Sequence, residues 1–480
     1  MTRKLPLAAK NAIAAIDELN LRGYKTTAEY EKGIDEVAEK MKNDIVFSAS
    51  EYDAARPTFY VSNSGDDKND GLTPETAWKT LDKINDPDSF PEYSNILFER
   101  GGLWRGMIKV PKNGITYSAY GVGQKPRIFG SKRNYAKPHY WKKTEYENVW
   151  VTDLCTKNVG LVAINHSDVL GKYDEIMCKR NIVGKDGFEG PADLKGEFNF
   201  YGHLDKELVY LYSPEGNPGD VYDSIEFGEG YTLVSPTANA LCDLTFDNLH
   251  LRYVGAHGIA GLGGRKNVTV KNCIMAYLGG SILDGFKGGR VIGFGNAVET
   301  YGSCNGYYVN SNWIYQIYDT AITHQYSVSS DDCFMDDIEY SGNLCEYCHW
   351  TIEFYNQPAQ GTKRYVHDVD VHHNILRCGG MGWGSEGRED GAALFNSFIL
   401  PPDTVNFVTH HNIYDRSAGG IVRLYRGGDE NIRAFNNTYI QKRDGLLGSV
   451  YEEDRAFDNA REQILLYCKE ENARFFYDGE

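Results

Sequence analysis

The residues of this chain best suited to acid–base chemistry are three carboxylates and one imidazole: Glu299, Asp319, Glu353 and His324. They lie in three strand-like segments, NAVETYG, DTAITHQY and WTIEFYN, which begin at residues 296, 319 and 350. When the segments are aligned on their inward apolar residue, Glu299 and Glu353 fall on the same outward position. Two carboxylates on one face are able to supply a general acid together with a base or nucleophile.

The spacing of these residues narrows the chemistry if the segments stack as coils of a solenoid. Coils about 4.8 Å apart would place the backbones of Glu299 and Glu353, two coils apart, roughly 9.5 Å from each other. Carboxyl groups about 6.5–9.5 Å apart suit an inverting glycosidase and about 5–5.5 Å a retaining one, and side-chain tilt leaves both open. Asp319 begins the intervening coil, and His324 would position substrate or tune a carboxylate. Each carboxylate taken alone is equally explained as a surface residue, so the hypothesis rests on the cluster.

Further polar and aromatic residues near these segments are candidates for substrate binding. The same alignment places Ala260, Thr323 and Val422 in the row of the two glutamates. A Gly-rich insert, CGGMGWGSEGREDGAALF (378–395), has the composition of a substrate wall, because an aromatic face stacks on a sugar ring and a guanidinium holds a carboxylate or hydroxyl. Packing of this insert on its neighbours is the alternative. The candidate binding residues are Tyr301, Gln325, Tyr355, Trp383, Arg388 and Arg423.

A repeated pattern between residues 244 and 447 must position all of these side chains. Alternating apolar residues lead to a polar corner in LTFDNL (244–249), VTVKNC (268–273), YYVNSN (307–312), IEYSGN (338–343), VDVHHN (369–374), FVTHHN (407–412) and IRAFNN (432–437). The last five copies end on Asn, at 312, 343, 374, 412 and 437. Units of about this length that bury an apolar face only against their neighbours form a solenoid.

The repeat is made of strands, because its alternation has period two and Gly, Asn and Asp bound each run. Coils of short parallel strands predict an all-β fold, the right-handed parallel β-helix. Asn suits its corners, since Asn tolerates a left-handed backbone and its amides hydrogen-bond along a stack. His373 and His411, each beside such an Asn, are interpreted as corner residues too.

The segment FYVSNSGDDKNDGLTPETAWKTLDKIN (59–85) and the Y-G-x-G-x-x-P corner in residues 115–131 resemble the first coils of the pectate-lyase-like superfamily of β-helix proteins. The resemblance implies a β-helix that acts on carbohydrate. It covers most of residues 57–448 but is specific to the fold. The residue set of polygalacturonases is absent as a set, and so are the basic and calcium-binding residues of pectate lyases. Asp66, Asp67, Asn69 and Asp70 look like a calcium loop, but no bidentate Glu follows at its end, so a capping turn is the favoured interpretation and calcium binding the alternative. No cofactor is required.

The rest of the chain divides around this solenoid. Residues 1–56 predict an α-helical N-terminal extension that covers one end of the solenoid or joins subunits. Residues 57–448 are assigned to the β-helix, with an inserted β-rich lobe at about 135–231. Residues 449–480 are assigned to a C-terminal helix that caps the last coil, with its helical pattern at 452–476.

Composition limits the partners. The net charge of −17 argues against nucleic acid, and no apolar run reaches 18 residues, so no membrane span is predicted. No secretion signal is read at the N-terminus, and the ten scattered Cys residues are interpreted as reduced thiols, which together predict a cytoplasmic protein unless a leader has been removed. A homo-oligomer is left open.

These observations predict a glycoside hydrolase that cleaves oligo- or polysaccharides with a pair of carboxylates drawn from Glu299, Asp319 and Glu353. One alternative is a polysaccharide lyase that acts on a uronate-containing glycan by β-elimination, with His324 or a Tyr as base. Another is a glycan-binding solenoid without catalysis, because a fold alone does not determine function.

Overall fold

A computed structural model describes residues 5–24, 26–165, 175–238, 240–261, 264–287, 290–326, 331–388, 391–424, 431–450, 455–457 and 470–477. Three long sheets of parallel strands run the length of the molecule, and the chain visits them in turn in each coil. This is the predicted right-handed parallel β-helix. Its interior is filled by the inward apolar side chains of all three sheets, which form one continuous core.

Sheets 1 and 2 each contain ten strands in the part of the chain that the structure describes. Sheet 1 consists of Thr58–Val61, Asn95–Glu99, Thr116–Tyr120, Cys242–Asp247, Arg265–Lys271, Cys304–Asn310, Cys333–Ser341, Arg364–His372, Thr404–His410 and Ile432–Phe435. Sheet 2 consists of Leu103–Arg105, Arg127–Phe129, His250–Val254, Ile274–Leu278, Trp313–Ile317, Leu344–Glu346, Ile375–Gly379, Ile413–Ser417, Thr438–Gln441 and Arg474–Tyr477.

Sheet 3 contains the strands that hold the candidate acids. Its described parallel strands are Val298–Tyr301, Thr320–Tyr326, Trp350–Asn356, Ala393–Ile399, Gly420–Leu424 and Gly448–Val450. The strand Ala393–Ile399 follows from the end of the Gly-rich insert and pairs with the strands on both sides of it. The insert is therefore part of a coil of the solenoid. Sheet 3 therefore has one more coil between Glu353 and residue 422 than the sequence alignment assumed.

A ladder of asparagine amides runs along the corner between sheets 1 and 2. Asn312 Nδ2 donates to Asn343 Oδ1 (3.0 Å), and the same bond joins 343 to 374 (3.0 Å), 374 to 412 (2.9 Å) and 412 to 437 (3.1 Å). At the last rung Asn437 Nδ2 donates to Glu470 Oε2 (3.0 Å). The predicted Asn column is confirmed as a hydrogen-bonded ladder.

The left-handed backbone of these corners does not fall on the ladder residues themselves, as the sequence analysis expected. It falls on the residue before each, for example Ser311 (φ 50°), His373 (φ 50°) and His411 (φ 54°). The ladder amides are thus free to turn into the coil interior, where all five are buried. The corner role predicted for the two histidines is consistent with this, because His is among the residues enriched in the left-handed region.

The N-terminal helices α1 (Leu7–Leu21) and α2 (Thr27–Val46) lie along the outer face of sheet 2, not over an end of the solenoid. Their apolar side chains bury the outward residues of that sheet, including Trp313 and Tyr315. Ion pairs join α2 to the same face, with Lys42 Nζ 3.1 Å from Glu346 Oε2 and Arg377 Nη2 2.6 Å from Asp35 Oδ1. The outer face of sheet 2 therefore packs apolar residues against the helices and also carries a row of buried charged residues that includes Glu346 and Arg377.

Residues between the early coils form a lobe with its own small cores, where the aromatic residues Trp141, Trp150 and Tyr201 pack. One sheet of the lobe pairs Lys142–Lys143, Val149–Thr152, Lys179–Arg180, Asn199–Gly202 and Val209–Tyr212, and another pairs Leu161–Ile164, Ile176–Met177 and Ile225–Gly228. Ile108–Val110 pairs with Val234–Pro236, and Ser281–Lys287 forms a hairpin with Arg290–Phe294. The remaining short helices are Pro74–Thr76, Leu81–Asn85, Pro87–Ser89, Pro138–Tyr140, Pro191–Asp193, Pro218–Val221 and Trp383–Gly387.

The predicted C-terminal helix falls largely on residues outside the described ranges. At the described positions within it the structure has strands instead. Arg455–Phe457 pairs antiparallel with Gly448–Val450, and Arg474–Tyr477 adds the last strand of sheet 2. Strand is favoured here because an unpaired sheet edge offers backbone groups that an added strand satisfies.

The loop proposed for calcium is held as a turn. Asp67 accepts hydrogen bonds from Thr80 Oγ1 (2.6 Å) and from the backbone of Lys79 (2.8 Å), and Asp70 accepts from Thr76 Oγ1 (2.7 Å). These contacts are those of the capping-turn interpretation, and calcium binding stays a prediction. Within the ranges that the structure describes, no helix is both long and apolar enough to span a membrane.

The ladder predicts a stability effect. We expect Asn374→Ala to lower the free energy of unfolding by about 3 kcal/mol, because it leaves buried amide and carbonyl groups of Tyr340, Asn343 and Asn412 unsatisfied. Thermal and urea midpoints measure the change. Asn305→Ala, which removes one exposed contact to Asp336, is the matched control; an equal loss in both variants would contradict a role for the ladder.

Candidate active site

The register of sheet 3 aligns a row of outward residues across five coils. Glu299 pairs with Thr323, Thr323 with Glu353, Glu353 with Asn396 and Asn396 with Arg423. The two glutamates therefore lie two coils apart in one row, as the sequence predicted. Arg423, rather than Val422, occupies the last of these positions, because Val422 and not Ile421 is the inward residue in register with Phe395 and Ile352.

Glu353 is buried in this row and is surrounded by neutral hydrogen-bond donors. Gln325 Nε2 donates to its Oε2 at 2.6 Å, and Thr323 Oγ1 lies 3.3 Å from the same atom. Asn396 Nδ2 donates to Oε1 at 3.1 Å. Thr320, described below, is a fourth polar neighbour. Together these four residues fix the carboxyl group in one orientation.

Asp319 forms an ion pair with Arg388, whose guanidinium reaches this site. Arg388, in the Gly-rich insert, places Nη1 2.7 Å from Asp319 Oδ1 and stacks its guanidinium over Trp350, 4.5 Å from the ring centre. The insert reaches this position by lying directly on the chain at Tyr318, where a Cβ on Gly384 would come within 2.4 Å of Tyr318 Cα. Asp319 is consequently buried as one half of an ion pair.

Thr320 links the two carboxyl groups. Its Oγ1 lies 3.4 Å from Asp319 Oδ1 and 3.2 Å from Glu353 Oε2. A hydroxyl has one proton to donate, so both contacts are hydrogen bonds at once only when one of the two carboxyl groups is protonated and donates to Thr320. Because Asp319 is paired with Arg388, we assign that proton to Glu353. Burial and the neighbouring charge of Asp319 raise the pKa of Glu353 to about 8, which keeps it protonated at neutral pH.

Glu299 has different surroundings, although it lies in the same row. Its Oε2 accepts from Asn296 Nδ2 at 2.5 Å and lies 3.2 Å from His257 Nδ1. Because Asn296 also donates its backbone N–H to His257 Nδ1 (3.1 Å), one residue holds both groups. Asn296 Oδ1 in turn accepts from the backbone of Thr320, which connects this part of the row to the Asp319–Glu353 pair.

His324 does not belong to the site. It pairs with Thr300 and Phe354 in the inward row of sheet 3 and is completely buried. Its Nδ1 is hydrogen-bonded to the Tyr340 hydroxyl, its Nε2 lies 3.1 Å from Cys304 Sγ, and burial lowers its pKa to about 3. A neutral imidazole enclosed in the core does not touch substrate, so the catalytic role predicted for His324 is corrected to packing.

The other predicted binding residues are distributed along the outer face. Gln325 contacts Glu353 directly, whereas Tyr301 packs edge-on against Tyr326 and Tyr355 donates to Gln357 Oε1. Arg423 is two coils from Glu353 and donates to Gly391 O at 3.3 Å. Only Gln325 and Arg388 among the six lie in contact with the candidate acids.

Trp383, the remaining predicted binding residue, lines a cavity of about 480 Å³ between the lobe and the solenoid. Its indole faces Tyr318 (ring centres 5.4 Å apart), and Phe188 adds a third aromatic residue to the wall. Tyr318 immediately precedes Asp319, and Trp383 begins the short helix that ends beside Arg388. The cavity therefore reaches the residue next to Asp319 in the chain, although neither Asp319 nor Glu353 lines it.

The polar part of this cavity is mostly cationic. Arg180 donates to the carbonyls of Gly280 (2.5 Å) and Gly202 (3.3 Å) and to Asn158 Oδ1. Its Nε is buried without a hydrogen-bond partner among the described residues. The charged lining residues are Lys179, Arg180, Lys185, Lys195, Asp186 and Asp193.

Sequence reasoning missed the polar residues that hold the acids, namely Thr320, Asn296, Asn396 and His257. Thr320 and Asn296 were within the aligned segments. Each lies two residues before an aligned apolar residue, Ile322 or Val298, and this common spacing was a usable signal. Asn396 required recognition of the extra coil. His257 precedes the inward Ile259 by two residues, so the same signal placed it beside Asn296.

No protein-family model and no curated protein matches the chain. Among solved structures, a GH136 lacto-N-biosidase from Eubacterium ramulus is 14% identical with a TM-score of 0.38, over 94% of this chain and 70% of that one. A structure described as a glycoside hydrolase is 10% identical with a TM-score of 0.45, over 88% and 95%. The tailspike gp49 from Pseudomonas phage LKA1 is 10% identical with a TM-score of 0.22, over 76% and 70%. At these values the comparisons carry no argument about activity, and the fold rests on the strand pairing.

The pKa of Glu353 predicts a pH dependence of stability. Between its ordinary value of 4.5 and about 8 the folded protein holds a proton that the unfolded chain releases, so stability falls as pH rises through this window. We expect Glu353→Gln to remove this part of the slope, which is at most about 1.4 kcal/mol per pH unit. Unfolding midpoints from pH 4 to 9 test it, with Asp336→Asn as control. Parallel curves for wild type and Glu353→Gln would contradict the protonated state.

Proposed function

We propose that this protein is a glycoside hydrolase in which Glu353 is the general acid and Asp319 is the nucleophile or base. The observation that carries the proposal is the pair itself: two adjacent buried carboxyl groups whose surroundings favour opposite protonation states. Neutral donors surround Glu353, whereas Arg388 stabilises the charge of Asp319. Such a division between two carboxyl groups is what acid–base cleavage of a glycosidic bond requires.

Each group then has a defined task. Protonated Glu353 would donate to the leaving-group oxygen, while Thr323, Gln325 and Asn396 keep its carboxyl in position. Ionised Asp319 would face the sugar carbon that develops positive charge. The aromatic wall of Trp383 and Tyr318 would stack on a neighbouring sugar ring, because the C–H face of a pyranose matches an aromatic face.

The separation of the two acids bears on the stereochemistry. Their oxygens lie no farther apart than the sum of the two Thr320 contacts, at 3.4 and 3.2 Å. The largest possible distance between these two oxygens is thus close to the smallest carboxyl separation of inverting enzymes, about 6.5 Å. The pair therefore favours the retaining mechanism, in which the two carboxyl groups are about 5–5.5 Å apart. A pair of Glu299 and Glu353, two coils apart, would favour inversion instead.

Carboxamide variants test the assignment. We expect Glu353→Gln and Asp319→Asn each to reduce turnover of a panel of neutral and acidic oligosaccharides by at least about 10²-fold, because each removes one half of the acid–base pair. Glu299→Gln is expected to lose less than tenfold. Products are followed by mass, which increases by one water on hydrolysis, and by NMR of the newly formed anomer.

Asp336→Asn, on sheet 1, serves as a carboxamide control that leaves turnover unchanged. Full activity in Glu353→Gln would contradict the proposal. A severe loss in Glu299→Gln together with inversion would transfer the second role to Glu299. Sugar binding without turnover in the wild type would favour the non-catalytic, glycan-binding alternative.

The cationic lining of the cavity favours one second candidate, a lyase that acts on a uronate-containing glycan. Arg180 and the lysines beside it would neutralise a sugar carboxylate, which assists removal of the neighbouring proton. His324, enclosed in the core, is not available as the base, so this candidate requires a tyrosine such as Tyr318. A new ultraviolet absorbance with unchanged total mass would identify elimination, whereas water gain without absorbance would exclude it for that substrate.

A further inference from the structure

Four histidines meet at the corner between sheets 1 and 2, whereas the carboxyl pair lies on sheet 3. The sequence H-H-N occurs in two successive coils, at 372–374 and 410–412, where sheet 1 turns into sheet 2. Coil stacking places His372 over His410 (ring centres 5.0 Å apart, planes at 4°) and His373 over His411 (4.7 Å, 4°). The four imidazoles therefore form two stacks of two rings each, and the two stacks lie side by side.

The inner edges of these rings present nitrogen atoms to a common centre. His372 Nδ1 lies 2.9 Å from His373 Nδ1, and His410 Nδ1 lies 2.7 Å from His411 Nδ1. Ligand nitrogens of His373, His410 and His411 all lie within 4.8 Å of one another. Within each pair, one Nδ1 must carry a proton that the other accepts, unless a cation takes the place of that proton.

The outer nitrogens of three rings face carboxylates. His373 Nε2 is 3.1 Å from Asp17 Oδ1 on α1, His410 Nε2 is 3.1 Å from Asp370 Oδ1, and His372 Nε2 is 3.8 Å from Glu339 Oε1. A carboxylate that accepts the outer N–H of an imidazole leaves the lone pair of the inner nitrogen available. Metal-binding histidines are held in this way in most proteins.

The local charge also favours a cation. Three carboxylates, those of Asp17, Glu339 and Asp370, face the outer edges of the imidazoles. A divalent ion at the centre would bind neutral nitrogen donors and balance the carboxylates around them.

We propose that His372, His373, His410 and His411 form a binding site for a divalent transition-metal ion, best matched by Zn²⁺. All-imidazole sites suit Zn²⁺, Cu²⁺ and Ni²⁺, and the carboxylates of the outer shell complete the site. Zn–N bonds of about 2.0–2.1 Å around a tetrahedral ion require nitrogens about 3.3 Å apart. The close pairs must therefore open slightly and the two stacks tilt together, by rotation of side chains on a fixed backbone.

The ion would have a structural role that the position of α1 suggests. Asp17 belongs to α1, whereas all four histidines belong to the solenoid. Metal at the centre would strengthen the Asp17–His373 contact and hold the helix against the corner. The protons on the inner nitrogens of the apo form would move to the outer ones, where Glu339 and Asn436 lie beside His372 and His411.

The full-length protein, stripped with a chelator and dialysed against Zn²⁺, tests the proposal. We expect one equivalent of zinc per chain by elemental analysis and a rise of several degrees in the thermal midpoint. Co²⁺ substituted for Zn²⁺ should give the intense visible bands of a tetrahedral nitrogen site. The double variant His373→Gln, His411→Gln should lose all three effects.

His367→Gln is the matched control, because His367 lies on the same sheet and pairs with Asp403 outside the cluster. It should bind zinc as the wild type does. If the double variant is too unstable to purify, the single variant His410→Asn provides the same readouts. Absence of stoichiometric zinc in the wild type, or equal zinc in wild type and cluster variants, would overturn the proposal.

Discussion

The asparagine ladder is the constraint on which the rest of this structure depends. Each ladder amide donates to the side chain of the next coil and to a strand carbonyl of the preceding coil. Its oxygen accepts from the backbone N–H of the ladder residue one coil earlier, as Asn374 does from Asn343. A shift of any coil by one residue would break these bonds and would also turn every side chain of its strands to the other face. The ladder thus fixes the register of sheets 1 and 2, and through the short connections it fixes sheet 3. The outward row from Glu299 to Arg423 follows from that register.

At this site, the protonation of the two carboxyl groups depends on which of them pairs with Arg388. Asp319 and Glu353 are both buried, and each would require compensation to be charged. Arg388 contacts Asp319 at 2.7 Å and is held there by Trp350, while Glu353 receives hydrogen bonds from the Thr323 hydroxyl and two amides and, when protonated, donates to Thr320. Neutral donors stabilise a carboxylate less than a guanidinium does, and the charge of Asp319 adds repulsion. The proton therefore stays on Glu353, and Thr320 joins the two states through its single hydroxyl.

Most of the fold was predictable from the sequence, whereas only part of the site was. The Asn spacing and the period-two alternation sufficed for the β-helix and for the shared row of Glu299 and Glu353. The same alternation places His324 inward, two residues after Ile322, so this error came from weighing residue type above strand geometry. Val422 was chosen over Arg423 because Ile421 and Val422 are both apolar, and local pattern does not show which of the two points inward. The contact of Arg388 with Asp319 spans the insert and could not have been inferred from local pattern.

The location of the site on sheet 3 has a physical reason. The outward face of sheet 2 is covered by α1 and α2, and its charged residues Glu346 and Arg377 are engaged in ion pairs with α2, so that face is already occupied. Sheet 1 ends at the corners that the ladder and the paired histidines occupy. Among the described strands, those of sheet 3 combine outward carboxylates with an insert that delivers an arginine. The N-terminal helices therefore bear on the proposed function indirectly, because they bury one face of the solenoid and leave the candidate site on another.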